Sequence, residues 1–176
     1  MKLRRYSAFL LAAALPVVAL ADALPQRSTP APRTTNSVPH VQLGVEPVPA
    51  LSAELLKRVA LLPGVKIGPT MVSLPGAAGF QIEDDMPLAR PEVITGGREF
   101  AHLHPDGSLH ASLPPDLAQE AVRAGWAVSH PWSTQRDGWD GYVMIFTPTS
   151  DQELVVVQEL VTASFEFVTG RDAGSK

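Results

Sequence analysis

Read for its apolar rhythm, the chain stays irregular as far as Ala50 and then becomes periodic. Apolar positions at helical spacing predict a helix over Ala53–Leu62, with Ser52 as N-cap, Leu51 and Leu56 as a hydrophobic staple, and a stop at Pro63-Gly64. Val65–Leu74 and Phe80–Glu83 read as strands around the turn Pro75–Gly79. Pro69 confines the first of them to a sheet edge or breaks it. Asp84–Gly97 reads as a loop. Two strands follow, Glu99–His104 and Ser108–Leu113, then a proline-opened helix from Pro114-Pro115 to about Ala124 with Gly125 at its C-cap. Tyr142–Thr147 is continuously apolar and should lie centrally in a sheet. Ser150 and Glu153 have the spacing of a capping box that opens a last helix, Asp151–Val168, ended by Gly170. The order α-β-β-β-β-α-β-α predicts an α+β fold: a two-layer domain, a mainly antiparallel sheet with helices packed on one face.

The pattern thus places the folded domain at residues 51–170, with 171–176 as a flexible tail. Residues 22–50 hold Pro25, Pro30, Pro32, Pro39, Pro47 and Pro49, and read as a Pro-rich linker, with His40 a solvated member of it. Residues 1–21 have the form of a signal peptide. Lys2, Arg4 and Arg5 precede the apolar run Ala8–Leu20, and Ala19-Leu20-Ala21 offers a small-x-small cleavage pattern. The domain is therefore expected to be exported, periplasmic or secreted, with membrane contact only through an uncleaved signal segment.

Charge and cysteine content narrow the chemistry. The formal charge is −4; cleavage after Ala21 would remove three of the 14 basic residues and none of the 18 acidic ones, leaving −7. An acidic domain without a basic run is a poor partner for nucleic acid. With no cysteine, stability rests on the core and any metal on His or carboxylate ligands.

The richest chemistry lies in REFAHLHPDGSLH, Arg98–His110, which holds three of the five histidines. Pro105-Asp106-Gly107 suits a three-residue hairpin: a type I turn closed by a left-handed glycine in a G1 bulge. That register pairs His104 with Ser108 and His102 with His110. Strict alternation then puts Phe100, His102, His104, Ser108, His110 and Ser112 on one face. Ala101, Leu103, Leu109, Ala111 and Leu113 take the other. Three imidazoles so placed could converge on a transition metal held by His102, His104 and His110. They could equally bind or deprotonate an acidic small molecule, or form a merely hydrogen-bonded polar face. Downstream, GWAVSHPW adds His130 in a loop able to close over this face. Trp126 is a candidate core or site residue, and Trp132 and Trp139 are candidate aromatic walls for a flat ligand.

These stretches, taken in order, resemble the fungal luciferase-like family. REFAHLH matches a family pattern R-E-x-A-H-x-H, SLH a pattern S/T-L-H, GWAVSHP a pattern G-W-x-x-x-H-P, and the last helix E-x-x-V-V-x-x-x-V-x-A-S, over about Gly96–Gly170. The resemblance implies a cofactor-independent oxygenase, using no metal, that acts on a small enolic or phenolic molecule such as a hydroxylated pyrone. It implies His102, His104, His110 and His130 as catalytic residues, and Arg98, Glu99 and Trp126 as substrate-binding, to which the aromatic-wall reading adds Trp132. Trp132-Ser133-Thr134 stands where the family runs L-A-G, and Ala127 where it has Gly, so the loop over the histidines differs. A non-catalytic module binding a small-molecule ligand and a His-liganded metal protein are the alternatives.

Overall fold

A computed structural model describes residues 23–174; the expected signal peptide lies outside them. The elements run β1 (Arg33–Thr34), β2 (Gln42–Leu43), α1 (Pro49–Val59), β3 (Val65–Pro69), β4 (Ala78–Ile82), β5 (Glu99–Leu103), β6 (Leu109–Ser112), α2 (Pro115–Arg123), β7 (Ala127–Ser129), β8 (Tyr142–Ile145) and α3 (Asp151–Thr169). A single turn of 3₁₀ helix, Pro91–Val93, interrupts the loop expected over 84–97. β3 to β8 form one antiparallel sheet in the order β3-β4-β5-β6-β8-β7, and β1 pairs with β2 apart from it. The fold is α+β, with β3 at an edge and β8 paired on both sides, as Pro69 and the apolar run predicted.

Helix α3 lies across β5 and β6, α1 packs on α3, and α2 sits beside β7. The core between these layers holds Leu103, Leu109, Ala111 and Leu113 from the hairpin with Val157, Leu160 and Phe165 from α3. Each leucine sealed there contributes roughly 1.5–3 kcal/mol of hydrophobic free energy.

Two helix starts differ from expectation. α1 begins at Pro49 rather than after Ser52, because a proline at the first position already holds a helical φ. Its N-cap, Val48, makes no side-chain cap bond. Leu51, Leu55 and Val59, not Leu56, form its buried stripe. At α3 the Ser150 hydroxyl accepts from Glu153 N (3.2 Å), but the return arm of the capping box is missing. The Glu153 carboxylate instead accepts from Thr149 N (2.9 Å) and from Arg27.

The hairpin has the expected register, with His102 opposite His110 and Leu103 opposite Leu109. His104 N donates to Ser108 O (2.8 Å) and Gly107 N to His104 O (3.0 Å), with Gly107 at φ +86°. A side chain at Gly107 would be strained there, and its Cβ would meet Thr147 Cγ2 at 2.8 Å. Gly107→Ala is therefore expected to lower stability by about 1–2 kcal/mol. The check is a lower urea midpoint with an unchanged m-value.

One position departs from strict alternation. Phe80 pairs with Ala101 but Gln81 with Glu99, so Phe100 is an unpaired bulge residue. Phe100 thereby turns into the core against Phe80 and Phe165 (ring centroids 6.0 and 5.9 Å) instead of joining the histidine face. The bulge hands its place on that face to Glu99.

Residues 23–50, read as a linker, lie against the domain. Gln42 donates to Thr147 Oγ1 (2.6 Å) and accepts from Thr147 N (3.2 Å). Arg27 is buried against Glu153 (3.1 Å), under the rings of Trp126 and Phe146. His40 is 4% exposed. Proline limits what this segment can fold by itself; it does not prevent docking through polar side chains.

Candidate functional site

All five histidines of the chain meet on the face of the sheet away from the helices. His102 comes from β5, His104 from the turn that follows it, His110 from β6, His130 from just beyond β7, and His40 from the turn between β1 and β2. With Trp132 and Tyr142 they line a cavity of about 250 Å³, closed by Val38, Pro39, Val72–Leu74 and Thr95. The sheet supplies His102 and His110, and the loops supply the other three histidines and close the cavity.

Hydrogen bonds thread four of the side chains together. Glu99 Oε1 lies 2.9 Å from His102 Nδ1. His102 Nε2 is 3.1 Å from His110 Nδ1, and His110 Nε2 is 3.2 Å from His40 Nδ1. Glu99 also accepts from Thr70 Oγ1 (2.8 Å) and Met71 N (2.7 Å). Burial alone would raise this carboxyl, but the bonds from His102, Met71 and Thr70 outweigh it and hold Glu99 below the ordinary carboxylate value. Gly79 makes room for it, since a Cβ there would lie 2.5 Å from Glu99 Oε2.

The other two rings are fixed separately. Ser108 Oγ donates to Asp106 Oδ1 (2.7 Å), so its bond to His104 (2.9 Å) must be received from His104 Nδ1–H. His104 therefore keeps its lone pair on Nε2. His130 Nδ1 accepts from Trp132 N (3.0 Å), so neutral His130 carries its proton on Nε2.

Burial keeps these rings uncharged. It pulls His104 down to about 4, with repulsion from His102 adding to it and Asp106 opposing. It pulls His130 to about 3, helped by the charges of His40, His102 and His104. His110 is held well below the ordinary range by burial and its four neighbours, and His40 is lowered by burial. Burial also raises the Tyr142 phenol far above its ordinary value, so it stays protonated. At neutral pH His40, His104, His110 and His130 are therefore bases, not cations. The bonds within the set leave three ring nitrogens unengaged: Nε2 of His40, His104 and His130. None of them is a sealed atom lacking a partner; among the described residues only Arg27 has those.

Two trios, His102/His104/His110 and His40/His110/His130, bring ligand nitrogens within 4.8 Å of one another and are the sets that could hold a metal. As arranged, neither presents three free lone pairs. His110 spends both nitrogens on its neighbours, and His130 presents an N–H.

The remaining expected site residues separate. Trp132 lines the cavity, edge-on to His130 (5.2 Å). Arg98 does not reach it: its guanidinium donates to Ile82 O (3.0 Å), Glu83 O (2.9 Å) and Met86 O, holding the loop after β4. Trp126 is a core residue whose Nε1 donates to Pro25 O (2.6 Å), and Trp139 packs behind Trp132 with its Nε1 on Glu92 O (2.8 Å). Glu99 touches His102 rather than the cavity. Sequence reasoning missed His40 and Tyr142 as wall residues. A histidine isolated among prolines was the one available signal for the first, and the apolar strand hid the second.

Comparison with known proteins agrees with the motifs. Residues 97–164 match the family model described as the luciferase domain. The luciferase of Armillaria gallica is 28% identical over 171 residues, covering 86% of this chain and 63% of the relative. That of Armillaria ostoyae is 27% identical over 172 residues, 86% and 64%. The luciferase of Neonothopanus nambi is 31% identical over 83 residues, 44% and 30%. This chain thus spans a little under two thirds of the length of the Armillaria relatives. No solved structure matches it. The histidine hairpin and His130 fall inside the matched stretch and His40 outside it, and it is over residues 97–164 that the chain matches the luciferase-domain family.

Proposed function

We propose that this domain is a cofactor-independent oxygenase acting on a small enolic or phenolic molecule bound in the histidine cavity. The observation that carries the reading is the set of three open ring nitrogens: a lone pair on His104, an N–H on His130, and Nε2 of His40. A neutral imidazole that takes the substrate's hydroxyl proton leaves an electron-rich anion. The anion can give an electron pair to dioxygen in one-electron steps, forming a carbon–oxygen bond and a peroxide anion. The N–H of His130 suits either anion, and a correctly placed base is worth roughly 10²–10⁴ in rate. Relatives named luciferase support oxidative chemistry; light emission would depend on the substrate and is no part of the proposal. We place the domain outside the cytoplasm on the strength of residues 1–21 alone.

Oxygen uptake by the full chain across a panel of hydroxypyrones and catechols tests the reading. The expected result is saturable uptake that His104→Ala lowers by roughly 10²-fold or more. Tight binding of a compound without uptake would instead make the domain a binding module. A stoichiometric transition metal in protein purified without an affinity tag, lost in His102→Ala, would establish the metal-protein alternative.

A further inference from the structure

We propose that His40, His110 and His102 form a proton relay, with His40 Nε2 as the base at its cavity end and the His102–Glu99 pair as the place where the proton comes to rest. The inference deepens the base-catalysed reading above and rests on it for an acidic hydroxyl in the cavity. It adds a catalytic residue from the segment outside the matched domain.

The polarity of the relay follows from its buried end. Ionised Glu99 can only accept, so His102 must donate from Nδ1 (2.9 Å). The relay takes His102 as singly protonated at rest; its Nε2 then carries a lone pair, and the 3.1 Å contact is filled by His110 Nδ1–H. By the same rule the 3.2 Å contact between His110 Nε2 and His40 Nδ1 is a donation by His40. With His102 in that resting state every link is set, and one lone pair, on His40 Nε2, is left over at the cavity. The ring that bears it is well held. It stacks on His110 at 5.3 Å with an interplanar angle of 9°. Thr35 accepts from Val41 N (3.0 Å) and donates to Pro39 O (2.8 Å) on either side of it. Two residues further on, Gln42 is clamped to Thr147.

The step balances without an oxidant. The substrate O–H bond breaks and its proton adds to His40 Nε2. His40 passes its Nδ1 proton to His110 Nε2, and His110 passes its Nδ1 proton to His102 Nε2. His102 ends with two N–H bonds and a positive charge beside the Glu99 carboxylate, and the substrate ends as an anion. His40 and His110 remain neutral in the opposite tautomer, so His40 now presents an N–H to the anion it created. The carboxylates facing this set are Glu99 on His102 and Asp106, through Ser108, on His104. No Lys or Arg lines the cavity. A cation on His102 is therefore the one placement opposed directly by a carboxylate.

The experiment is long-range ¹H–¹⁵N spectroscopy of the full chain labelled at histidine, without oxygen, before and after addition of 4-nitrophenol below its own pKa. The anion of this probe is yellow, so ionisation is read independently of turnover. Expected in the free protein are Nδ1–H tautomers at His40, His102 and His110, and the Nε2–H tautomer at His130. Expected on binding are a yellow complex, both nitrogens of His102 protonated, and His40 and His110 switched to Nε2–H. His40→Gln should bind the probe but lower its ionised fraction at least 10-fold, with the Nε2–H tautomer of His130 retained as the control for folding. An Nε2–H tautomer at His110 in the free protein, an extra proton on any ring but His102, or full ionisation in His40→Gln would overturn the relay. Failure of nitrophenol to bind would count against the ligand reading, and the tautomers of the free protein would still decide the relay.

Discussion

Acidification from pH 6.5 to pH 4.5 is expected to remove on the order of 5 kcal/mol from the unfolding free energy through His104 and His130 alone. In the unfolded chain both titrate near 6.5, but burial holds them at about 4 and about 3 in the folded domain. Below pH 6.5 the unfolded chain therefore binds protons that the folded chain refuses. Each such proton costs about 1.4 kcal/mol of stability per pH unit. The loss begins at the unfolded value and continues until the folded value is passed, so its window opens near pH 6.5. His110 and His40, also lowered, act in the same direction. Glu99 and Glu153 add to it only below about 4.5, because their folded values are depressed and their stabilisation is lost as they protonate. Against an ordinary stability of about 5–15 kcal/mol, this removes a third or more of the margin well above pH 3. Urea midpoints at pH 7, 5.5 and 4.5 check it, and a flat midpoint across that range would show that the rings are not buried as neutral bases.

The reach of sequence reasoning can be followed residue by residue. The hairpin was legible because Pro105-Asp106-Gly107 encodes its own backbone geometry and the alternation on either side fixes the register. β3 at the edge followed from Pro69, and the end of α3 from Gly170, which adopts φ +68°. Glu99 was assigned to substrate through the R-E pair of the resemblance, while alternation placed it off the histidine face. What overrode alternation was a tertiary choice, the burial of Phe100 between Phe80 and Phe165, and no local residue announces a bulge of that kind. β7 is three residues long and forms only because β8 is there to pair with it. His40 was hidden for a different reason. Composition reports what a segment can bury by itself, and residues 23–50 bury little of their own. Their docking rests on single polar side chains, Arg27, His40 and Gln42, each of which reads as a surface residue until its partner is known.

That docking also explains how a site built inside the matched stretch can depend on a residue outside it. The open lone pair at the cavity end of the relay belongs to His40, while the carboxylate that fixes the polarity belongs to Glu99 on β5. One is positioned by the antiparallel sheet and the other by side-chain clamps at the ends of β8 and α3. The segment before α1 is thus part of the site's construction.

Replacing Glu153 by Ala is expected to cost about 3–5 kcal/mol, the range for removing one partner of a buried ion pair. Arg27 and Glu153 are almost fully sealed, with side chains 3% and 4% exposed. Arg27 Nη2 donates to Glu153 and to Thr147 O (2.9 Å), but Nε and Nη1 have no hydrogen-bond partner. Its charge is met otherwise by the rings of Trp126 and Phe146, 5.8 and 5.6 Å away. Without the carboxylate a buried cation is left almost uncompensated. Thr29 Oγ1 and Thr149 N also lose the acceptor they share. The same change unpins the segment that carries His40, so the ionisation of a bound phenol should fall along with stability. Arg27→Met combined with Glu153→Leu separates the two effects. An apolar pair of similar volume is expected to restore most of the lost stability, because the isolated charge is gone and the burial is kept. Urea unfolding at pH 7 measures both variants. If the double variant is no more stable than Glu153→Ala, the loss comes from the Thr29 and Thr149 bonds and not from a stranded Arg27.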